Sequence, residues 1–269
     1  MLTPAQKVTI VAEVGVNHGG DYREALRLSD AALAAGADVV KFQLFEPLCC
    51  GNRARRRLLS PLALSRTQIS ELCEHVLEVA GGRNDSWMVT PFDTPSLDYV
   101  VQLHPAAMKV SSRFLRDHEF LREIRAKWDG PIWQSLGGAD RIGMDANEAY
   151  AITKPAVVLH CISAYPTPVA ACDLLAMAKL TNPGGRIGWS DHTGVPHIAP
   201  LAVALGATVI EAHIKSETSG GPDLASSLSA RDFEQMVRMV WDAEAALGNG
   251  LRNQCEAEAA NRKAFPVTT

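Results

Sequence analysis

The chain has 269 residues, 47% of them hydrophobic, and a formal net charge of −4. That is enough apolar material for a sizeable core, as one large domain or two small ones. No basic field invites nucleic acid or an anionic membrane surface, and no apolar run approaches the ~18 residues of a membrane span, so neither partner is expected. The six cysteines, at 49, 50, 73, 161, 172 and 255, form no CxxC pair and sit in apolar segments. Reduced thiols of a cytoplasmic protein look like this. The opening MLTPAQKVTIVAEVG has no signal-peptide layout.

In chain order, short β-branched runs predict strands at 8–14, 38–45, 86–92, 107–112, 131–136, 156–163, 186–191 and 208–214. Each is followed by a helical stretch. The clearest are 21–35, where Asp21 can cap, 65–80, opening on Ser65, and 229–247, closed by Gly248. Eight strand–helix units predict a single (β/α)8 TIM barrel over 1–248, with 249–269 as an irregular tail holding a short helix at 255–264. An open nucleotide-binding sheet would want G-x-G-x-x-G after its first strand. Here that turn is Gly-Val-Asn-His-Gly-Gly, residues 15–20. The cluster Arg53–Arg57 reads as a solvated loop or a phosphate-facing lid.

Chemistry in such a barrel sits at the C-terminal strand ends. Polar residues interrupt the apolar strands there at Glu13, Lys41 with Gln43, Thr90 with Asp93, Lys109 with Ser111 and Ser112, and Gln134 with Ser135. They continue at His160 with Ser163, at Ser190, Asp191 and His192, and at Glu211 with His213. An unpaired polar group is costly in a core, so these residues point to a site. Lys41 and Lys109 would project into the barrel mouth, where lysine needs an anionic partner. The plainer reading is an internal ion pair with Glu13 or Asp93. The sharper one is an anionic substrate, with the hydroxyls of Ser112, Ser135, Ser163 and Ser190 around a phosphate, a composition that points toward phosphoenolpyruvate. His192 and His213 end adjacent strands beside Glu13 and Asp223, an imidazole and oxygen set that would suit a divalent metal: Mn²⁺, Mg²⁺, Co²⁺ or Zn²⁺. His18, in the loop after the first strand, can contact substrate or simply brace its loop.

The segments IVAEVGVNHGG (10–20), AGADVVKFQ (35–43), VTPFD (89–93), MKVSS (108–112), LHCISAYPTP (159–168), GWSDHT (188–193), ALGATVIEAH (204–213) and GPD (221–223) run along nearly the whole chain. Together they resemble the N-acetylneuraminate (sialic acid) synthase family. The resemblance implies a metal-dependent enzyme that condenses phosphoenolpyruvate with an aldehyde or aldose, giving a 3-deoxy-2-keto acid and phosphate, and that works as a homodimer. It makes His192 and His213 the metal ligands, with Mn²⁺ or Mg²⁺ preferred, and gives Glu13 and Asp223 a place near metal and acceptor. It assigns Lys41, Thr90, Lys109, Ser112, Ser135, Ser163, Tyr165 and Ser190 to the phosphoenolpyruvate site, and Gln43 and His18 fall in the same substrate-binding set.

The sequence departs from the family pattern at Phe114, Ala212 and Leu224, where glutamate, lysine and histidine are usual, and at Ser163, where some members have asparagine. The expectation is retained donor chemistry with a less polar or smaller acceptor. The antifreeze-like domain that usually follows the barrel, and the arginine it supplies, are expected to be absent. Two other readings stand beside this one: a Schiff-base aldolase working through Lys109 or Lys41 on a 2-keto acid, and a catalytically inactive barrel serving as a binding module.

Overall fold

The computed structural model describes residues 7–49, 51, 53–139, 145–248, 250 and 255–264. The strands are β1 (Thr9–Gly15), β2 (Val39–Leu44), β3 (Trp87–Pro91), β4 (Met108–Val110), β5 (Ile132–Ser135), β6 (Val157–His160), β7 (Arg186–Asp191), β8 (Val209–Lys215) and β9 (Ser227–Ser229). The helices are α1 (Tyr22–Ala34), α2 (Arg53–Leu59), α3 (Arg66–Val79), α4 (Thr94–Gln102) and α5 (His118–Lys127). They continue with α6 (Asp145–Thr153), α7 (Leu174–Met177), α8 (Ile198–Ala204), α9 (Ala230–Leu247) and α10 (Glu256–Ala264). The paired strands run in the order β3-β2-β1-β8-β7-β6-β5-β4. β3 and β4, at the two ends of that path, lie against each other. The result is a nearly closed (β/α)8 barrel, as the strand–helix alternation predicts.

Local chemistry explains where the helices begin. Asp21 accepts from the Arg23 N–H at the head of α1. Ser65 and Gln68 form a reciprocal capping box on α3, and Ser229 caps α9 by accepting from the Asp232 N–H, so three orphan-donor sets are satisfied by their own sequence. α9 buries Phe233, Met236, Val237 and Val240, a spacing that lays one stripe against the barrel. β4 and β6 are shorter than their apolar runs. Ser111 turns the chain into a 3-10 turn over Ser112–Phe114, and beyond His160 the chain leaves the ladder.

Period-two alternation sorts the strands into two surfaces. Ile10, Ala12, Val40, Phe42, Val89, Met108, Ile210 and Ala212 face outward into the core shared with the helices. Val11, Val39, Met88, Ala107, Val157, Leu159 and Val209 fill the inside as an apolar layer. β7 contributes Gly188 at this level. A Cβ there would stand 2.4 Å from the Val209 carbonyl oxygen and 2.7 Å from Leu159, so the interior is packed solid beneath the site.

Two features escaped the sequence. The Arg53–Arg57 cluster is not a loop but lies on α2, inserted between β2 and α3; Arg53, Arg56 and Arg57 are exposed. β9 continues the sheet beyond β8, pairing His213 with Ser227, Ile214 with Leu228 and Lys215 with Ser229. Its three residues, Ser-Leu-Ser, are too short and polar to announce a strand.

Candidate active site

One step above the apolar layer, each strand or its extension presents one inward residue: Glu13, Lys41, Thr90, Lys109, Ser135, Cys161, Ser190 and Glu211. All eight line a cavity of about 680 Å³ at the C-terminal mouth of the barrel. Strand register sets their neighbours. Glu13 lies opposite Lys41 on β2 and opposite His213 on β8, while Ser190 on β7 lies opposite Glu211.

Both lysines are almost fully buried, and both meet carboxylates. Lys41 Nζ is 2.7 Å from Glu13 Oε2 and 3.5 Å from Glu211 Oε2. Lys109 Nζ donates to Glu211 Oε1 at 3.1 Å, which also accepts from Ser190 Oγ at 2.8 Å. The ion-pair partners are therefore Glu13 and Glu211. Asp93 is not one of them, because its carboxylate caps α4 and accepts from the Ser96 and Glu46 N–H groups. Glu211, to which the sequence reading gave no role, bridges the two lysines from the opposite wall.

These contacts set the charges. Burial acts to lower the Lys41 ammonium, but Glu13 and then Glu211 outweigh it and raise it. Lys109 goes the other way: burial dominates, Lys41 adds repulsion, and Glu211 only partly compensates. For Glu211, burial would raise the carboxyl, yet Lys109 and Lys41, then Ser190, hold it well below the usual carboxylate range. Asp223 is pushed up to about 6 by burial and then by Glu13.

His192 and His213 come together as expected, ring centroids 5.5 Å apart, with Tyr165 stacked 4.3 Å from His192. His192 Nδ1 lies 2.8 Å from the Ile162 carbonyl. A carbonyl only accepts, so this contact puts the proton on Nδ1 and leaves the Nε2 lone pair bare. Nδ1 of His213 is buried with no hydrogen-bond partner among the described residues. Burial, then its neighbour His213, lowers His192 to about 4. Burial, then Lys41, lowers His213 to about 3, so both rings are neutral at pH 7. Two adjacent neutral imidazoles, one with an orphaned nitrogen, fit a divalent cation. Among the described residues no set of three or more His, Cys, Asp or Glu is gathered as a ready-made cage. Glu13 is engaged by Lys41 and by Gln43 Nε2 at 2.7 Å.

Gln43, Ser112, Ser163, Tyr165 and Asp223 complete the predicted set on the cavity wall. The loop carrying Asp223 is pinned by the buried Glu24 of α1, which accepts from the hydroxyls of Ser216, Thr218 and Ser219. His18 is outside the lining. Its Nδ1 accepts from the Gly20 N–H at 3.0 Å, and it bridges to Gly220, which braces the same loop. His160 is also outside; its Nε2 meets the Cys172 carbonyl at 3.0 Å. Phe114, Ala212 and Leu224 do not line the cavity either. Phe114 is stacked 4.5 Å from Phe120, so that departure from the family pattern serves packing. The mouth is apolar instead through Val16, Phe45, Leu58, Leu59, Phe92 and Leu115, and it carries two arginines the sequence reading passed over, Arg113 and Arg116.

The profile of the NeuB family matches residues 28–252. The chain belongs to that family. The N,N'-diacetyllegionaminic acid synthase of Campylobacter jejuni is 30% identical, over 95% of this chain and 82% of that protein. The enzyme of the same name from Legionella pneumophila is 32% identical, over 93% and 76%. Among solved structures, N-acetylneuraminic acid synthetase from Leptospira borgpetersenii, in complex with citrate, superposes with a TM-score of 0.85 at 27% identity, over 98% of this chain and 94% of that one. Among the described residues no helix is long and apolar enough to cross a membrane.

Proposed function

We propose that this NeuB-family enzyme joins phosphoenolpyruvate to the aldehyde of a small sugar, giving a 3-deoxy-2-keto acid of the nonulosonic type and free phosphate. The observation that carries the reading is the inward layer itself. Two buried lysines and a ring of hydroxyls share one cavity with two neutral imidazoles and the half-buried acid Asp223. C3 of phosphoenolpyruvate attacks the carbonyl carbon, water adds at C2, and phosphate leaves with cleavage of its C–O bond. Lys41, Lys109 and Thr90 hold the donor's carboxylate end, and the hydroxyls of Ser112, Ser135, Ser163 and Ser190 receive its phosphate.

Asp223, protonated for part of the time near neutrality, gives its proton to the oxygen that becomes the new hydroxyl. Glu13, held against Lys41, takes the proton from the incoming water. Tyr165 belongs with the donor-holding set, Gln43 borders the acceptor, and His18 supports the site from the loop behind. His192 and His213 would hold a divalent metal, Mn²⁺ or Mg²⁺ before Co²⁺ or Zn²⁺, whose Lewis acidity polarises the aldehyde. A homodimer and a cytoplasmic setting belong to the same proposal.

A screen of aldoses for phosphate release from phosphoenolpyruvate tests it: release should require both substrates. Release without any aldose, or with none tried, counts against the reading. The lowered Lys109 amine favours a second reading, a Schiff base with a free 2-keto acid. Borohydride should trap no adduct; a trapped lysine adduct would reverse the preference.

A further inference from the structure

The cavity floor holds two lysines and two carboxylates, Lys41 with Glu13 at 2.7 Å and Lys109 with Glu211 at 3.1 Å. Their charges nearly cancel. A donor carrying both a carboxylate and a phosphate brings close to three negative charges, so the floor alone leaves the phosphate without a counter-ion.

The hydroxyls meant for that phosphate converge on one side. Ser112 Oγ and Ser163 Oγ are 3.2 Å apart. A Cβ on Gly137 would stand 2.4 Å from Ser163 Oγ and 3.2 Å from Ser112 Oγ, so the Gly137–Gly138 backbone comes down directly on this pair. Hydroxyls and glycine backbone make a cradle for a tetrahedral anion, and the cradle lacks only charge.

Arg113 follows Ser112 in the same 3-10 turn, where Ser111 Oγ accepts its N–H, and it lines the cavity. Its guanidinium stands over the Phe92 ring, 5.5 Å from the centroid. Contact with that ring holds the guanidinium beside the cavity, and an arginine so placed can take a phosphate by two parallel bonds. Among the described residues no carboxylate pairs with Arg113, while Arg116, also on the wall, is already engaged.

We propose that Arg113 is the cation that binds the phosphate group of phosphoenolpyruvate above the Ser112, Ser163 and Gly137 cradle. The inference rests on the condensation reading and adds the residue that gives the donor site its net charge. The same guanidinium chemistry would equally suit a phosphate carried by the acceptor, and the experiment separates the two sources.

Calorimetric titration of wild type, Arg113→Ala and Arg113→Lys with phosphoenolpyruvate alone reads the donor site, and steady-state kinetics reads KM for donor and acceptor separately. Loss of a charge-assisted bidentate contact should weaken phosphoenolpyruvate binding by roughly tenfold to a hundredfold in Arg113→Ala. The lysine variant should recover part of it, and acceptor KM should stay unchanged. Arg113 is exposed, so matched thermal unfolding of the three proteins will confirm intact folds. Equal binding of phosphoenolpyruvate by wild type and Arg113→Ala overturns the proposal, as does a defect confined to acceptor KM, which reassigns Arg113 to an anionic acceptor. Failure of wild type itself to bind phosphoenolpyruvate overturns the condensation reading, and this inference with it.

Discussion

At the floor of the cavity Lys41 and Lys109 are only 4% and 3% exposed, and each is paired with a carboxylate of another strand. At the mouth Leu58 is 58% exposed, and Arg113 is exposed as well, standing over the Phe92 ring. The floor is built from strand residues whose direction follows from alternation and whose charges must be paired because they are almost fully buried. The mouth is built from loops and the α2 insertion, where solvent screens charges and side chains keep their freedom. Floor residues should therefore govern stability and the common chemistry, and the apolar residues of the mouth should tune which acceptor is taken, while Arg113 is the one mouth residue assigned to the donor.

The sharpest way to break this contrast is to remove the paired imidazoles. The double variant His192→Ala, His213→Ala should lose at least about a hundredfold in phosphate release, with wild type losing activity to a chelator and the variant showing no further response to metal. Unchanged turnover would end the metal assignment. Next comes Glu211→Gln, which keeps the shape but leaves Lys109 buried beside an uncharged partner. Stranding a buried charge costs about 3 kcal/mol or more, readable as a lower denaturant midpoint. An unaltered midpoint would mean that the pair is not what holds the floor together.

Asp223 lies between the two regions, and its pH behaviour sharpens the line. Its carboxyl sits near 6 in the folded protein, above its ordinary 3.8. The stability it contributes is present below about pH 4 and is lost as pH rises through about 6. Asp223→Asn should flatten that stretch of the stability profile and remove a limb near pH 6 from the rate profile. Identical profiles for both proteins would exclude Asp223 as a titrating group of the site. The smallest effect is expected from Leu58→Ala: acceptor KM should shift by no more than about tenfold with donor KM unchanged, the scale of one partly exposed apolar contact. A donor-side change from this apolar contact would dissolve the division between the floor and the apolar part of the mouth.

The floor was legible in the sequence because it obeys a period of two. Glu13, Lys41, Thr90, Lys109, Ser190 and the two histidines each interrupt an apolar strand, and alternation fixes the face on which they appear. Glu211 obeyed the same pattern but received no role, since its partners lie 170 and 102 positions earlier in the chain and only barrel closure makes them neighbours. Asp93 and His160 are polar residues at strand ends, yet they cap α4 and bond to the Cys172 carbonyl, a distinction the pattern does not encode. The mouth was legible least. Arg113 carries no periodic signal, α2 reads as a loop because four of its first five residues are arginines, and β9 depends on pairing rather than propensity.

The central claim is a carbon–carbon bond made from C3 of phosphoenolpyruvate. The direct measurement is NMR of a reaction containing donor labelled with ¹³C at C3, an active aldose and metal. The account predicts that the label moves into the methylene of a 3-deoxy-2-keto acid as phosphate appears in equal amount. Recovery of the label in the methyl group of pyruvate, with or without the aldose, would contradict it.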